Sequence, residues 1–406
     1  MSGPSQSLSR GVRNGYLVAR AVGAGLAMAF ALFYSNNLGV ERRSLVAFIM
    51  TSALVVAVIC TSGVSLTFRR SASNPDTKIT LNAYIYLSTF LSILAALLTM
   101  VIVEIYSRTK THIPNTLLIV TFVYAFFASL DFCFHQALIA YNLFKLASIL
   151  DVLTIVMQIS IYFIFFFANR LSIAVSLFTA LIISYITSTV TTLLLLIGMR
   201  NPSIKFFYGE IKYLLSESKS YHLYGISNGF ADRIDRIVIA WFLPLSFLGQ
   251  YAVGTSLISF LRFLPEALSR LIVGGQQLPK LIWVNRSLVA RVLAVTSLAL
   301  AGSIISQFFV KIVFGDSWVM PFVVFLLFSL QEIARGYYQI SLSKVVSDGD
   351  DKRVRTLSLS LILLSSGLSI AGANMFGLYG IPLGIGVGYI ILLLSLRFRT
   401  SGAVIK

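Results

Sequence analysis

Charge is what this chain is short of: only 12% of its 406 residues are Asp, Glu, Lys or Arg, about half the usual share in soluble domains. With hydrophobic residues at 57%, an ordinary water-soluble fold is excluded. Cysteine and histidine are scarce too. Cys60 and Cys133 both fall inside apolar runs, and His112, His135 and His222 lie far apart, so neither a disulfide frame nor a metal site is indicated. A phosphate-binding loop, zinc-ligand spacing and a nucleophile elbow are also missing. The GIGVG stretch ending at Gly388 follows no strand and is embedded in apolar sequence, so no ATP-driven step and no cofactor is expected within this chain. No connection between apolar runs is long enough to hold a separate extramembrane domain.

What is present is a series of long apolar runs, such as Leu81–Val103 and Leu357–Phe376. A barrel would instead show segments of about ten residues alternating in polarity. Allowing about 20 residues per crossing, helices are expected near 14–36, 43–68, 79–104, 113–140, 147–168, 171–198, 222–243, 247–273, 287–313, 318–343, 355–376 and 378–397. The chain therefore reads as an all-α integral membrane protein of about twelve transmembrane helices. The first run is read as a retained helix rather than a cleaved signal, since many equally long ones follow.

The net charge of +17 would suggest nucleic acid in a soluble chain, but loop position accounts for it here. With a cytoplasmic N-terminus, 20 of the 32 Lys and Arg fall in inside segments and six, Arg42, Arg43, Arg108, Lys110, Arg170 and Lys311, in outside segments. That asymmetry favours both termini inside and removes nucleic acid as an expected partner. The polar stretch 200–221 divides the chain into an N-terminal six-helix lobe (1–199) and a C-terminal one (222–406). Leu38–Gly39 after the first span recurs as Leu248–Gly249 after the seventh, a faint echo of duplication. Two six-helix repeats commonly place a transport site between them, so a central cavity is expected.

The remaining six cations, Arg20, Arg233, Arg236, Arg262, Arg270 and Arg335, lie within predicted spans. A charge at mid-membrane costs about 2.5–3.5 kcal/mol even on the mildest scale, so each needs an acid, a hollow holding water, or a ligand. Asp232, Arg233, Asp235 and Arg236 crowd the seventh span, where Asp232 and Arg236 are four apart and can pair on one face. They read either as a self-neutralising cluster or as a passage lining. Arg262 is followed one turn on by Glu266, with Pro265 between, and either pairs with it or offers a planar guanidinium to two phosphate oxygens. Arg20 has no acid nearby and either snorkels to headgroups or enters the cavity.

Arg335 and Glu332, three apart, read first as a structural pair, with Arg335 kept as a cavity candidate. Asp131 and His135, four apart, are candidates for a proton relay because histidine titrates near neutral pH and a neighbouring carboxylate raises its pKa; the alternative is a pair that satisfies itself inside a bundle. Asp151 reads as an acid favoured by a helix N-terminus. Gly380, Gly384 and Gly388 recur every four residues, a spacing that lets backbones approach closely.

The pattern Asp235–Ile239 with Leu248–Tyr251, the passage Phe314–Pro321, and the end pieces Gly349–Arg353 and Phe376–Ile381 resemble bacterial polysaccharide or O-antigen repeat-unit flippases of the multidrug/oligosaccharidyl-lipid/polysaccharide exporter superfamily. The resemblance extends to length, helix count and linker position. It implies two lobes around a V-shaped cavity and alternating access that carries an undecaprenyl-diphosphate-linked oligosaccharide across the bacterial inner membrane. It also implies basic cavity residues, carried here onto Arg20, Arg233, Arg236, Arg262 and Arg335; Asp131, His135, Asp232, Asp235 and Glu266 are added from the spacing above as supporting or coupling groups. Implied partners are the lipid-linked oligosaccharide, membrane lipids and other polysaccharide-assembly proteins, with proton or sodium antiport as an option. A small-molecule exporter of the same superfamily and a membrane polysaccharide polymerase or ligase are the competing expectations; the short outer loops speak against an enzyme.

Overall fold

A computed structural model of the chain describes residues 10–72, 80–168, 172–200, 208–258, 261, 265, 269, 288–347 and 350–401. Among these there are no strands. The helices are α1 (Arg10–Ala72), α2 (Leu81–Thr109), α3 (Asn115–Ala140), α4 (Phe144–Ala168), α5 (Ile173–Arg200), α6 (Tyr208–Ala231), α7 (Ile234–Phe242), α8 (Leu245–Ile258), α9 (Leu288–Phe314), α10 (Phe322–Ser347), α11 (Asp351–Phe376) and α12 (Gly380–Ser401). Among the described residues seven helical stretches are long and apolar enough to cross a membrane. Two of them, Ala21–Arg69 and Lys352–Leu396, run 49 and 45 residues, each enough for two crossings at about 20 residues apiece. The chain is an all-α, multi-pass membrane protein.

Internal contacts group the chain into two units, one holding the chain up to Leu45 together with Ile234 onward, the other Val46–Arg233. In the second unit α2 packs on α3, α3 on α5, and α4 mainly on α5. Phe48 stacks on Tyr106 with centroids 3.9 Å apart, and Phe68 on Tyr84 at 4.1 Å. α6 lies along the second arm of α1 through small residues: Gly225 faces Ser62, Gly229 faces Val58, and Gly63 faces His222, each too close for a Cβ. The start of α6 is tied to the start of α2, where Glu210 Oε2 accepts from Thr80 N at 2.8 Å and Thr80 Oγ1 at 2.6 Å.

In the first unit the last two long helices form a hairpin. Gly372 and Gly380 meet backbone to backbone and Gly384 lies on the carbonyl of Leu368, while Gly388 makes only ordinary contact with Leu364. The four-residue glycine spacing thus works as close packing over its first two positions. Asp350 caps α11, its side chain accepting from Arg353 N at 3.1 Å. Gln250 Nε2 donates to Ser317 O at 2.8 Å, which ties α8 to the 3-10 turn Asp316–Trp318 after α9.

Three local features depart from the sequence expectation. The first two spans are two helices that meet at a kink on Gly39, the one non-helical residue between them (φ 75, ψ 165), so the expected connection of several residues is a single one. Gly249 is helical and packs on the carbonyl of Val40, so the two Leu-Gly pairs are not equivalent positions. The seventh span is not continuous: α6 ends at Ala231, two residues turn, and α7 begins at Ile234. The charged side chains supply what helix ends need, because end groups have no partner within the helix. Arg233 Nη1 donates to Gly229 O at 3.3 Å, and Asp235 Oδ1 accepts from Arg236 N at 2.8 Å in the first turn of α7.

The α3–α4 connection is three residues long. Asn142 takes φ 61, and Leu143 N donates to Leu138 O at 2.9 Å, closing the end of α3 in the manner that favours Gly or Asn at this position. Asn142→Ala is expected to cost about 1 kcal/mol, and Asn142→Gly to be tolerated, by thermal unfolding of the purified protein in detergent.

Candidate functional site

Within the first unit, α1, α7, α8 and α10 bring charged side chains and their polar neighbours into the interior. α7 contributes Asp235, 1% exposed. Besides the backbone of Arg236, it accepts a hydrogen bond from Tyr251 Oη of α8 at 3.0 Å on Oδ2. Tyr251 sits edge-on to Phe328 of α10 with centroids 5.5 Å apart. One turn beyond Phe328, Glu332 and Arg335 are both 1% exposed and meet at 3.3 Å, while Gln331 Nε2 lies 3.4 Å from Glu332 Oε1. Arg335 therefore faces a carboxylate of its own helix.

Arg236 and Arg43 are different. Arg236 is half-buried; its Nη2 donates to Thr255 Oγ1 of α8 at 3.3 Å, and its buried Nε finds no acceptor. Arg43, on the arm of α1 that belongs to this unit, is 5% exposed. Its Nε donates to Ser35 Oγ at 2.8 Å, and its Cζ lies 5.0 Å from the centroid of the Tyr34 ring. A guanidinium so placed gains some cation–π stabilisation. Among the described residues neither Arg43 nor Arg236 has a carboxylate at ion-pair distance. Three cations thus stand against two anions in this buried group, and the surplus lies on Arg43 and Arg236.

Arg43 is the residue that sequence reasoning placed wrongly, in an outer loop between two spans. Because the chain turns at Gly39 alone, helix resumes at once and carries Arg43 inside. The signal available was the double arginine Arg42–Arg43 immediately after a Gly-containing polar break. Tyr251 and Thr255, spaced four apart on α8, were also passed over as site residues, although Tyr251 ends the LeuGlyGlnTyr piece.

In the second unit, Asp232 Oδ2 and Arg233 Nη1 lie 3.9 Å apart at the α6–α7 turn, both partly buried. Asp131 and His135 lie on α3 with Oδ1 and Nδ1 3.6 Å apart. Asp151 does not sit at a helix start as expected, since α4 begins at Phe144; its Oδ1 comes within 3.1 Å of His135 Nε2. The expectations for Arg262, Glu266 and Arg270 fall outside the described residues, as does the side chain of Arg20. Pro265, which is described, packs on Gly336 of α10. No group of three or more His, Cys, Asp or Glu among the described residues is arranged to hold a metal ion.

No family model and no curated protein matches this sequence. Solved structures do. An aspartate-to-asparagine mutant of the Vibrio cholerae MATE transporter VcmN matches with a TM-score of 0.69 at 17% identity, covering 97% of both chains. An inward-facing multidrug resistance MATE transporter of the MOP superfamily matches at 0.65 and 12%, covering 95% of this chain and 98% of that one. A MOP superfamily transporter from Pyrococcus furiosus, described as having a binding pocket of reversed polarity that suggests a different function, matches at 0.58 and 12%, covering 96% and 95%. At such identities the likeness is one of fold, a two-lobe arrangement of twelve helices.

The Asp235–Tyr251 contact is a hydrogen bond to a buried carboxylate, a type that contributes about 1.5–3 kcal/mol. Tyr251→Phe is expected to lower the unfolding free energy by that amount. Thr255→Val, at the longer Arg236 contact, is expected to cost less than about 1 kcal/mol in the same thermal unfolding measurement.

Proposed function

We propose that this membrane transporter carries an anionic, undecaprenyl-diphosphate-linked oligosaccharide from the cytoplasmic to the outer leaflet of a bacterial inner membrane, by alternating access, for surface polysaccharide assembly. The observation that supports it is the surplus of positive charge on Arg43 and Arg236. An unpaired guanidinium at mid-membrane costs about 2.5–3.5 kcal/mol, a large part of the 5–15 kcal/mol that holds a typical domain together. Such a cost is tolerated where water or an anion reaches the group. A planar guanidinium binds two phosphate oxygens at once, and two of them suit a diphosphate better than a neutral sugar or a cationic drug. Arg335, paired with Glu332, is a positioning residue in this reading, while Arg20 and Arg262 remain proposed members of the same lining. Both termini are placed in the cytoplasm by the distribution of Lys and Arg.

The multidrug reading has its own support in the MATE fold and in the buried carboxylates Asp235 and Glu332. Against it, both carboxylates already accept hydrogen bonds from the protein, Asp235 from Tyr251 and Glu332 from Gln331 and Arg335. The Pyrococcus furiosus neighbour, described as carrying a pocket of reversed polarity, is a precedent for a change of cargo on this fold. A polymerase or ligase would make new glycosidic bonds, which product analysis separates from a change of sidedness.

The test uses proteoliposomes holding the full chain and a fluorescent polyprenyl-diphosphate sugar, with leaflet exchange read by quenching. Arg236→Gln and Arg43→Gln are each expected to insert normally and to slow exchange by about 10–100-fold, the loss of one charge-assisted contact, with partial recovery in Arg236→Lys. Wild-type rates in both single variants and in the double variant would overturn the proposal, as would export of a cationic dye without exchange of the diphosphate.

A further inference from the structure

The second unit holds a buried titratable group for which cargo binding has no use. His135 lies between two carboxylates, Asp131 one turn earlier on its own helix and Asp151 across on α4, with its side chain 10% exposed against 13% and 31% for the acids. We infer that these three residues form a proton-binding clasp between α3 and α4, closed when His135 carries its second proton and loosened when it does not. The inference rests on the chain being a transporter and not on the identity of its cargo.

The chemistry of imidazole carries the argument. Neutral histidine has one N–H and can donate to only one carboxylate, whereas the protonated ring donates from both nitrogens. Here Nδ1 lies 3.6 Å from Asp131 Oδ1 and Nε2 3.1 Å from Asp151 Oδ1, both at ion-pair distance and neither with hydrogen-bond geometry among the described residues. Asp131 is on the same helix as His135, so the tie between α3 and α4 is the Nε2–Asp151 contact. Neutral imidazole can keep that contact through its Nε2–H tautomer, but only by turning the Nδ1 lone pair on Asp131 and by leaving the carboxylate charges unopposed by the ring in a low dielectric, where repulsion is poorly screened. The proton therefore sets the strength of the bridge.

Packing gives the bridge something to control. α4 lies mainly on α5 and only lightly on α3, so side-chain contacts between α3 and α4 are few. The rigid turn at Asn142 joins the two helices at one end, and the clasp sits about two turns above it. Opening would hinge α4 about that turn while leaving its packing on α5 in place. Asp151, the most exposed of the three, is the side from which a proton arrives. With the topology that the basic loops favour, that side faces the cytoplasm.

Other ionisable groups near this end cannot switch in its place. Arg69 at the end of α1 and Lys145 at the start of α4 keep their charge through the physiological range. α2 brings Tyr84, whose hydroxyl donates to Cys133 O at 2.7 Å, and α5 brings only Tyr185 before Arg200. Sodium is a poorer fit than a proton, because imidazole nitrogen already occupies the space between the two acids and hard cations prefer oxygen.

Hydrogen–deuterium exchange on the full chain in lipid nanodiscs tests this without any cargo. Protection is read from peptides covering 128–158, corrected for intrinsic rates, between about pH 6 and about pH 11, an interval wide enough for an imidazole held between two carboxylates. Wild type is expected to lose protection several-fold as pH rises. His135→Gln is expected to be flat and weakly protected, and His135→Lys, always charged, flat and strongly protected. His112 and His222 stay in place in every variant. A flat wild-type profile, a profile that survives in His135→Gln, or one that follows sodium at fixed pH overturns the inference. If His135→Gln fails to fold, His135→Lys and Asp151→Asn decide alone: pH dependence unchanged in both overturns it. Failure here leaves the diphosphate assay untouched, and failure there leaves this one untouched.

Discussion

Hydrocarbon offers no hydrogen bonds, and the rest of this structure follows from that. Every backbone and side-chain polar group in a span must find its partner inside the protein. The spans are rich in Ser and Thr, and most solve the problem locally. Thr61, Thr99, Thr121, Ser148, Thr154, Ser184 and Ser303 all donate to the carbonyl four residues earlier. Hydroxyl content therefore says nothing about function here. Charged groups cannot be absorbed so cheaply, and each has had to acquire a reason.

For many of them the reason is structural. Arg233 and Asp235 cap the two helix ends that meet near residue 232, Asp350 caps α11, and Glu210 anchors α6 to α2. Glu332 and Arg335 neutralise one another in the buried interior of the first unit. Among the described residues, what these assignments leave for function is Arg43 and Arg236 in one unit and the His135 clasp in the other. The first is a surplus of positive charge and the second a switchable one. They differ in kind as well as place, which is why one is read as holding cargo and the other as sensing protons.

Helix positions were largely legible in the sequence, because apolar length alone decides where a span can lie. The close approach at Gly380 and Gly384 could be read from a four-residue repeat for the same local reason. What escaped was decided by tertiary placement. Apolar length cannot distinguish one continuous seventh helix from two helices whose ends are capped by their own charged residues, since both leave the same composition. Arg43 was assigned to a loop because a Gly-centred polar break resembles a connection, whereas one residue with positive φ is enough to turn the chain. Asp151 was taken for a helix-start acid, and only the hairpin register set by Asn142 puts it opposite His135. The pairs that sequence spacing does expose, Asp131 with His135 and Glu332 with Arg335, are those formed within a single helix.

The sign of the cargo also bears on what the proton is for. With the cell interior negative, moving one anionic charge outward gains about 2.3 kcal/mol per 100 mV, so a diphosphate travels downhill electrically before any ion is exchanged. A cationic drug moved the same way climbs that gradient and needs a coupled ion as its drive. On the flippase reading, then, the clasp would add little driving force. Its contribution would be timing, with the α3–α4 pair released at one stage of the cycle and reclosed at another. A gate of this kind needs only a modest difference in affinity between the two states, about 1.4 kcal/mol for each tenfold shift in population. One proton gained or lost on an imidazole beside two carboxylates supplies a difference of that order.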